Sequence, residues 1–205
     1  GNYVAFTDFA DQPQTASLAA LKKEIEQNRV ITKTYHLGTD GYGRDILSRL
    51  LFGVRVSLSV GLVAVLISLT IGIFMGSIAG YYRGTIDNII MWFINVIWAI
   101  PTILLAMAIR FAIGDKIPSF LAIFIAVGLS MWVEVARIVR GQVLVVREME
   151  YIQAARGLGF QNLRIIIKHI LPNIIGPIMV IAASDFASAI LIEAGLSFVG
   201  IGVKP

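Results

Sequence analysis

Cysteine is absent from the 205 residues, and the only histidines are His36 and His169. Without thiols there is no disulfide and no thiolate metal site, although this does not fix the redox compartment, and two histidines far apart leave no basis for a transition-metal centre. Signatures of catalysis are missing as well. No Gly-x-x-x-x-Gly-Lys-Ser/Thr loop is present to cradle ATP phosphates, and no His-Glu-x-x-His pair to hold zinc. Gly195-Leu196-Ser197 begins like a nucleophile elbow, but Val199 stands where the closing glycine is due. The chain is therefore expected to have no catalytic residue, no metal and no cofactor of its own.

Charge is scarce too. Only 15% of residues are charged, 57% are hydrophobic, and the mean hydropathy is +0.81. Such a chain is an integral membrane protein. At 1.5 Å of rise per residue, four apolar runs cross or nearly cross a hydrocarbon core of about 30 Å: 56–82, 89–109, 117–133 and 170–192, the third being the shortest. None has the form of a cleaved signal peptide, because each is too long and the first starts only at residue 56. The net charge of +4 is read as a signal of topology, not of nucleic-acid binding.

Residues 1–35 are polar and form a segment of their own, with an amphipathic helix expected over 17–28, where Leu18, Leu21 and Ile25 share a face. From His36 onwards, glycines and a Thr-Asp pair predict a turn, followed after Asp45 by an interfacial helix. In the first span Ala64, Ser68, Gly72, Gly76 and Gly80 recur every four residues, a stripe of small side chains that lets another helix approach closely. Ala122, Ala126 and Ser130 repeat the device in the third span, and Ala183 and Ala187 echo it weakly in the fourth. Pro101 and Pro172 are expected to kink or to begin helices.

Between positions 134 and 169 lie Arg137, Arg140, Arg147, Arg156, Arg164 and Lys168, against Glu134, Glu148 and Glu150. The positive-inside rule makes 134–169 a cytoplasmic loop. Alternation then puts the 82–89 turn inside, and the N-terminal segment, the 110–116 turn and the C-terminal end outside. Arg44, Arg49 and Arg55 oppose this only in part. An outside N-terminus without a preceding span or an initiator methionine reads as a truncated chain, and so does an end just after a span.

Within that loop, Gln153-Ala154-Ala155, Gly159 six residues after Gln153, and Leu171-Pro172, its proline thirteen residues further on, resemble the EAA loop of ABC importer permeases. Glutamine stands for the usual initial glutamate, and His169 where a hydrophobic residue is commonest. The physical demand is a short helix of small residues that a partner can approach, ended by glycine. Tyr151, Ala155 and Leu158 are expected to share one face as an amphipathic ridge. Gly38-Thr39-Asp40, Gly43-Arg44-Asp45, Ser48-Arg49 and Gly53-x-Arg55-x-Ser57, with the closing stretch from Leu196 to Gly202, are similar to the C-type permease of dipeptide and oligopeptide importers, a group that also carries nickel.

The resemblance implies an all-α polytopic transmembrane bundle of the type I ABC importer permease kind, located in the cell inner (plasma) membrane. Four spans of the family's six are expected here, over 36–205, with the first and last missing. It implies a homologous second permease, an ABC ATPase pair carrying ATP and Mg, an extracytoplasmic binding protein and membrane lipid as partners, and no nucleic acid. The ATPase-docking residues it implies are Tyr151, Gln153, Ala154, Ala155, Gly157, Leu158 and Gly159. Ser68, Gly72, Gly76 and Gly80 are assigned to helix packing. A charge in hydrocarbon costs several kcal/mol unless it meets water or a partner, so Asp185, with Ser184 and Ser188 beside it, is a candidate for the translocation path, although structural pairing is the favoured reading of the aspartate. Glu134 can reach Arg137 one turn on, while Glu193 and Arg110 lie at span ends and can snorkel. A self-contained channel or secondary transporter, or a membrane scaffold, are the competing readings. The first would need a pore ring or an inverted repeat, and neither is visible.

Overall fold

In the computed structural model, residues 3–7, 13–28, 34–114 and 116–201 are described. The chain divides into two compact units, Gly1–Leu51 and Phe52–Pro205. In the first, β1 (Tyr3–Thr7) and β2 (Pro13–Ser17) pair antiparallel with Tyr3 opposite Ser17, a hairpin that the polar composition does not announce. Helix α1 (Leu18–Asn28) follows directly, close to the expected 17–28. Ser17 caps it by accepting a hydrogen bond from the Ala20 N–H at 3.2 Å.

The glycine-rich segment after His36 is a tight turn organised by two carboxylates. Asp40 accepts the backbone N–H groups of Tyr42 (2.9 Å) and Arg44 (3.0 Å), and its other oxygen takes the guanidinium groups of Arg44 (2.9 Å) and Arg49 (2.5 Å). Asp45 then caps α2 (Ile46–Tyr82), receiving the N–H of Leu47 and the N–H and hydroxyl of Ser48. Gly38 and Gly43, at φ 77° and 73°, hold left-handed positions on either side of Asp40 that a side chain would strain. The helix expected after Asp45 is thus continuous with the first span.

Among the described residues, three helical stretches are long and apolar enough to cross a membrane: Ile46–Tyr82, Ser119–Val146 and Asn162–Phe198. The expected second span is instead a broken pair, α3 (Gly84–Trp98) and α4 (Thr102–Ile113), bent by 92°. Pro101 is the cause: it lacks an N–H, its ring would strike the carbonyl one turn back, and it drives Ile100 out of helical conformation. Together the pair still runs from one end of α5 to the other. Asp87 near its start binds Arg140 late in α5 (Ser119–Val146), whereas Ala106 near its end packs with Ile123 and Val127 early in α5.

Helix α5 is the centre of the bundle, with buried residues from Ala122 to Val146. It is also longer than expected, so Glu134, Arg137 and Arg140 sit on the helix and not in a loop. The stripe on α2 lies against it. A Cβ on Gly72 would stand 2.5 Å from Val135 Cβ, one on Gly76 2.5 Å from the Ala136 carbonyl oxygen, and one on Gly80 2.8 Å from the Arg140 carbonyl oxygen. Ala64 and Ser68 are buried on the same line. Ala122, Ala126 and Ser130 are buried as well, but Ala183 and Ala187 are exposed, so the echo in the last span is not a packing stripe within this chain. That span is irregular at its start. After α7 (Asn162–Ile165) come a wide π turn, Ile166–Ile170, and a tight 3₁₀ turn, Leu171–Ile174, before α8 (Ile175–Phe198). Pro172 at the head of the 3₁₀ turn explains the change of winding, because the regular ladder cannot be completed through it. The Asn173 side-chain amide donates to the His169 carbonyl at 2.7 Å.

Candidate functional site

Helix α6 (Glu150–Gly157) carries the predicted docking residues and is closed by a Schellman motif. The Phe160 N–H reaches back to the Ala155 carbonyl at 3.1 Å and the Gly159 N–H to that of Arg156 at 2.9 Å, with Gly159 at φ 79°. Only glycine takes that left-handed cap without cost, which accounts for its place in the motif. The expected ridge is corrected in one respect. Tyr151 and Leu158 are exposed, at 45% and 74%, but Ala155 is buried with Ile152 against a core that includes Val139, Val143, Ile165 and Ile166. Residues three apart on a helix share a face, and here Ile152 and Ala155 form the attached face. Gln153, Ala154, Gly157 and Gly159 are exposed with Tyr151 and Leu158, so the free surface is small and flanked by apolar side chains. The Gln153 amide donates to the Glu148 carbonyl at 3.1 Å.

The anchor of this helix is Tyr81, a residue that the sequence presents only as the end of a span. It is buried, its hydroxyl donates to Asn162 Oδ1 at 2.8 Å, and the guanidinium of Arg156 lies 5.0 Å from its ring centroid. Arg147 donates to the Tyr81 carbonyl, and Arg83 pairs with Glu148 at 2.7 Å. Burial, followed by the like charges of Arg83 and Arg156, lowers the Arg147 pKa. These arginines thus tie the end of α2 to the end of α5 and to α6. His169 stacks on Phe160, with ring centroids 5.9 Å apart, so the histidine in the motif fills a packing position.

Among the described residues, the ionisable groups along the spans meet different partners. Asp87 and Arg140 form a two-pronged ion pair at 2.5 and 2.6 Å. Asp185 is 3% exposed and accepts the Ser68 hydroxyl at 3.2 Å, so it faces the α2–α8 contact and not an opening in this chain. Ser184 is exposed, and Ser188 is half-buried. Glu193 is buried, not snorkelling, and accepts the Ser197 hydroxyl at 2.7 Å. The anticipated Glu134–Arg137 pair is not formed: the Arg137 guanidinium lies 4.1 Å from the centroid of Trp98, and Glu134 is exposed. A cavity of about 170 Å³ opens beside the break in the second span, lined by Trp98, Thr102, Ser130, Glu134 and Ser188 among others. Of the three residues proposed for the path, Ser188 alone lines it.

Residues 72–204 match the family model described as "Binding-protein-dependent transport system inner membrane component". The chain is 40% identical over 179 residues to the dipeptide transport system permease protein DppC of Bacillus subtilis, which covers 87% of this chain and 55% of that protein. It is 38% identical to the oligopeptide transport system permease protein OppC of the same organism, over 84% of this chain and 55% of that one. To the glutathione transport system permease protein GsiD of Pectobacterium atrosepticum it is 38% identical, over 85% and 57%. The chain spans about half the length of these curated relatives. A crystal structure of an amino acid ABC transporter with histidines superposes with a TM-score of 0.54 at 22% identity, covering 78% of both chains, a likeness of fold alone.

Proposed function

The chain belongs to the family of inner membrane components of binding-protein-dependent transport systems, and from that premise we propose that it is the permease subunit of an ATP-driven importer of di- or oligopeptides. It is a multi-pass protein of the cell membrane. In the proposed assembly it lies against a homologous permease, the two forming the path between them. A pair of ATPase subunits holding ATP and Mg²⁺ docks on α6, and an extracytoplasmic binding protein delivers the substrate. The chain itself is non-catalytic. The observation that carries this reading is α6: a short helix whose inner face is packed, whose end is capped by Gly159, and whose outer side leaves Tyr151, Gln153, Ala154 and Leu158 exposed.

The test is Leu158→Asp in the assembled transporter. Leu158 is 74% exposed, so the substitution leaves the bundle intact but puts a charge into the proposed apolar contact. If it sits at the centre of the interface, about 2 kcal/mol is lost, roughly thirtyfold in affinity. Co-purification of the ATPase pair and ATP-dependent dipeptide uptake should both fall. Unchanged ATPase binding would remove α6 from the docking surface.

A further inference from the structure

We propose that the cavity beside the break in the second span binds a primary ammonium group, the amino terminus of the peptide in transit, against the carboxylate of Glu134. The inference rests on the peptide-permease reading and adds to it a residue and a direction of substrate binding. The cavity is small, about 170 Å³, against several hundred for a pocket that encloses a whole ligand. It suits one end of a peptide, with the remainder held elsewhere in the path.

Its chemistry favours a cation. Among the described residues, Glu134 is the sole ionisable one in the lining, beside the hydroxyls of Thr102, Ser130 and Ser188 and the indole of Trp98. The Ser130 proton is committed to the Val127 carbonyl at 2.8 Å, so its oxygen is left to accept. Among the described residues, no basic side chain lies within ion-pair distance of Glu134. Arg137, the natural candidate one turn along, does not line the cavity and has its guanidinium over Trp98. A carboxylate at membrane depth is costly unless it meets water or an opposite charge. An incoming ammonium supplies that charge and can donate to the hydroxyl acceptors, whereas a peptide's carboxylate would be repelled. The break supplies access, because the span leaves its straight course at Pro101, between Trp98 and Thr102.

The 205 residues contain no cysteine, so Ser188→Cys places their sole thiol in the cavity wall. In the assembled transporter in proteoliposomes, S188C is labelled with aminoethyl methanethiosulfonate, a cation, and sulfonatoethyl methanethiosulfonate, an anion, with labelling of the cysteine-free chain subtracted. The cation should be favoured about tenfold over the ratio shown by a free small thiol, and Glu134→Gln should abolish that preference. Dialanine should slow the labelling, and its des-amino analogue propionyl-alanine should not. Thr102→Cys serves as a second reporter should S188C fail to assemble. The proposal is overturned if the reagent ratio is the same with Glu134 and with E134Q, or if propionyl-alanine protects as well as dialanine. Absence of dialanine uptake by the wild-type assembly would instead overturn the peptide reading, since the charge preference is measured by the reagents without any substrate.

Discussion

Gly76→Ala is the sharpest test of how the bundle is held together. The added methyl carbon would stand 2.5 Å from the Ala136 carbonyl oxygen, 2.9 Å from Val139 Cβ and 3.0 Å from the Arg140 nitrogen. Two of these three are backbone atoms of α5 and cannot swing aside. Ordinary contact begins at 3.4 Å, so the helices must part by about 0.9 Å at this point. A gap of 0.5–1 Å forfeits a quarter to a half of each dispersion contact, and Val135, Val139 and Val143 all lie along the line. Overpacking of this kind costs about 1–3 kcal/mol. Gly141, on α5 with nothing within 4 Å of the place a methyl would take, is the control, where alanine should gain up to about 1 kcal/mol in helix propensity. The two variants should therefore differ by about 1–4 kcal/mol, or roughly 2–16 °C in Tm for a chain of this size. Thermal unfolding of the purified protein in detergent, followed by scanning fluorimetry, reads this difference. Equal midpoints for G76A and G141A would refute the claim that α2 and α5 touch backbone to backbone.

Two further outcomes follow from the anchor and from the turn. Tyr81→Phe removes one hydrogen bond, to Asn162, worth about 1 kcal/mol; ATP hydrolysis by the assembly should persist while uptake per ATP falls, and an unchanged ratio would show that Tyr81 transmits nothing. Asp40 has its pKa lowered from 3.8 to about 2, first by the backbone N–H of Arg44, against an opposing effect of desolvation, and then by the Tyr42 N–H and the guanidinium groups of Arg44 and Arg49. A depressed carboxylate stabilises the folded turn above its unfolded pKa and loses that contribution as pH falls through the folded one. The 38–45 turn should hold at pH 5 and loosen between about pH 4 and 2, an effect visible as increased acid-protease cleavage there and abolished in Asp40→Asn.

How much of this is legible in the sequence depends on whether the signal is local. Hydropathy locates the four apolar regions, the four-residue spacing locates the stripe, and Gly159 and Pro101 mark ends that the backbone requires. The extension of α5 is hidden because Glu134, Arg137 and Arg140 look like loop charges in a hydropathy window. The groups that two of them meet, Trp98 for Arg137 and Asp87 for Arg140, are distant in sequence. The apolar series Met131, Val135, Val139 and Val143 continues through them at four-residue intervals and is the available signal. A ridge started from Tyr151 puts Ala155 on the outer face, whereas one started from Ile152 turns the helix to its observed orientation. The angle at Pro101 has no local signature, since proline breaks the ladder but the packing of α3 and α4 on α5 decides how far the halves swing.

The connection between α6 and the cavity can be traced through parts that differ in stiffness. Thirteen residues of α2 separate Tyr81 from Ser68, about 20 Å of helix. Along that length, Gly72, Gly76 and Gly80 bring α2 backbone against the backbone of α5 and the stiff, β-branched side chains of Val135, Val139 and Val143, with no α2 side chain between to compress. A displacement of α6 that pulls on Tyr81 through Asn162 must therefore carry α2 and α5 together, and α5 brings Glu134 with it. The compliant part is the break between Trp98 and Thr102, where the opposite wall of the cavity changes direction. Coupling between distant sites needs an element with two arrangements that both sites bias, and the break is where this fold can supply one. The anchor and the stripe should then fail differently. Tyr81→Phe weakens the pull by removing the Asn162 bond while leaving the bundle stable, whereas G76A loosens the bundle while leaving the α6 surface unchanged. Their stability costs should add, as expected of separated sites, while uptake, once reduced at Tyr81, should fall less than additively when the stripe is loosened as well.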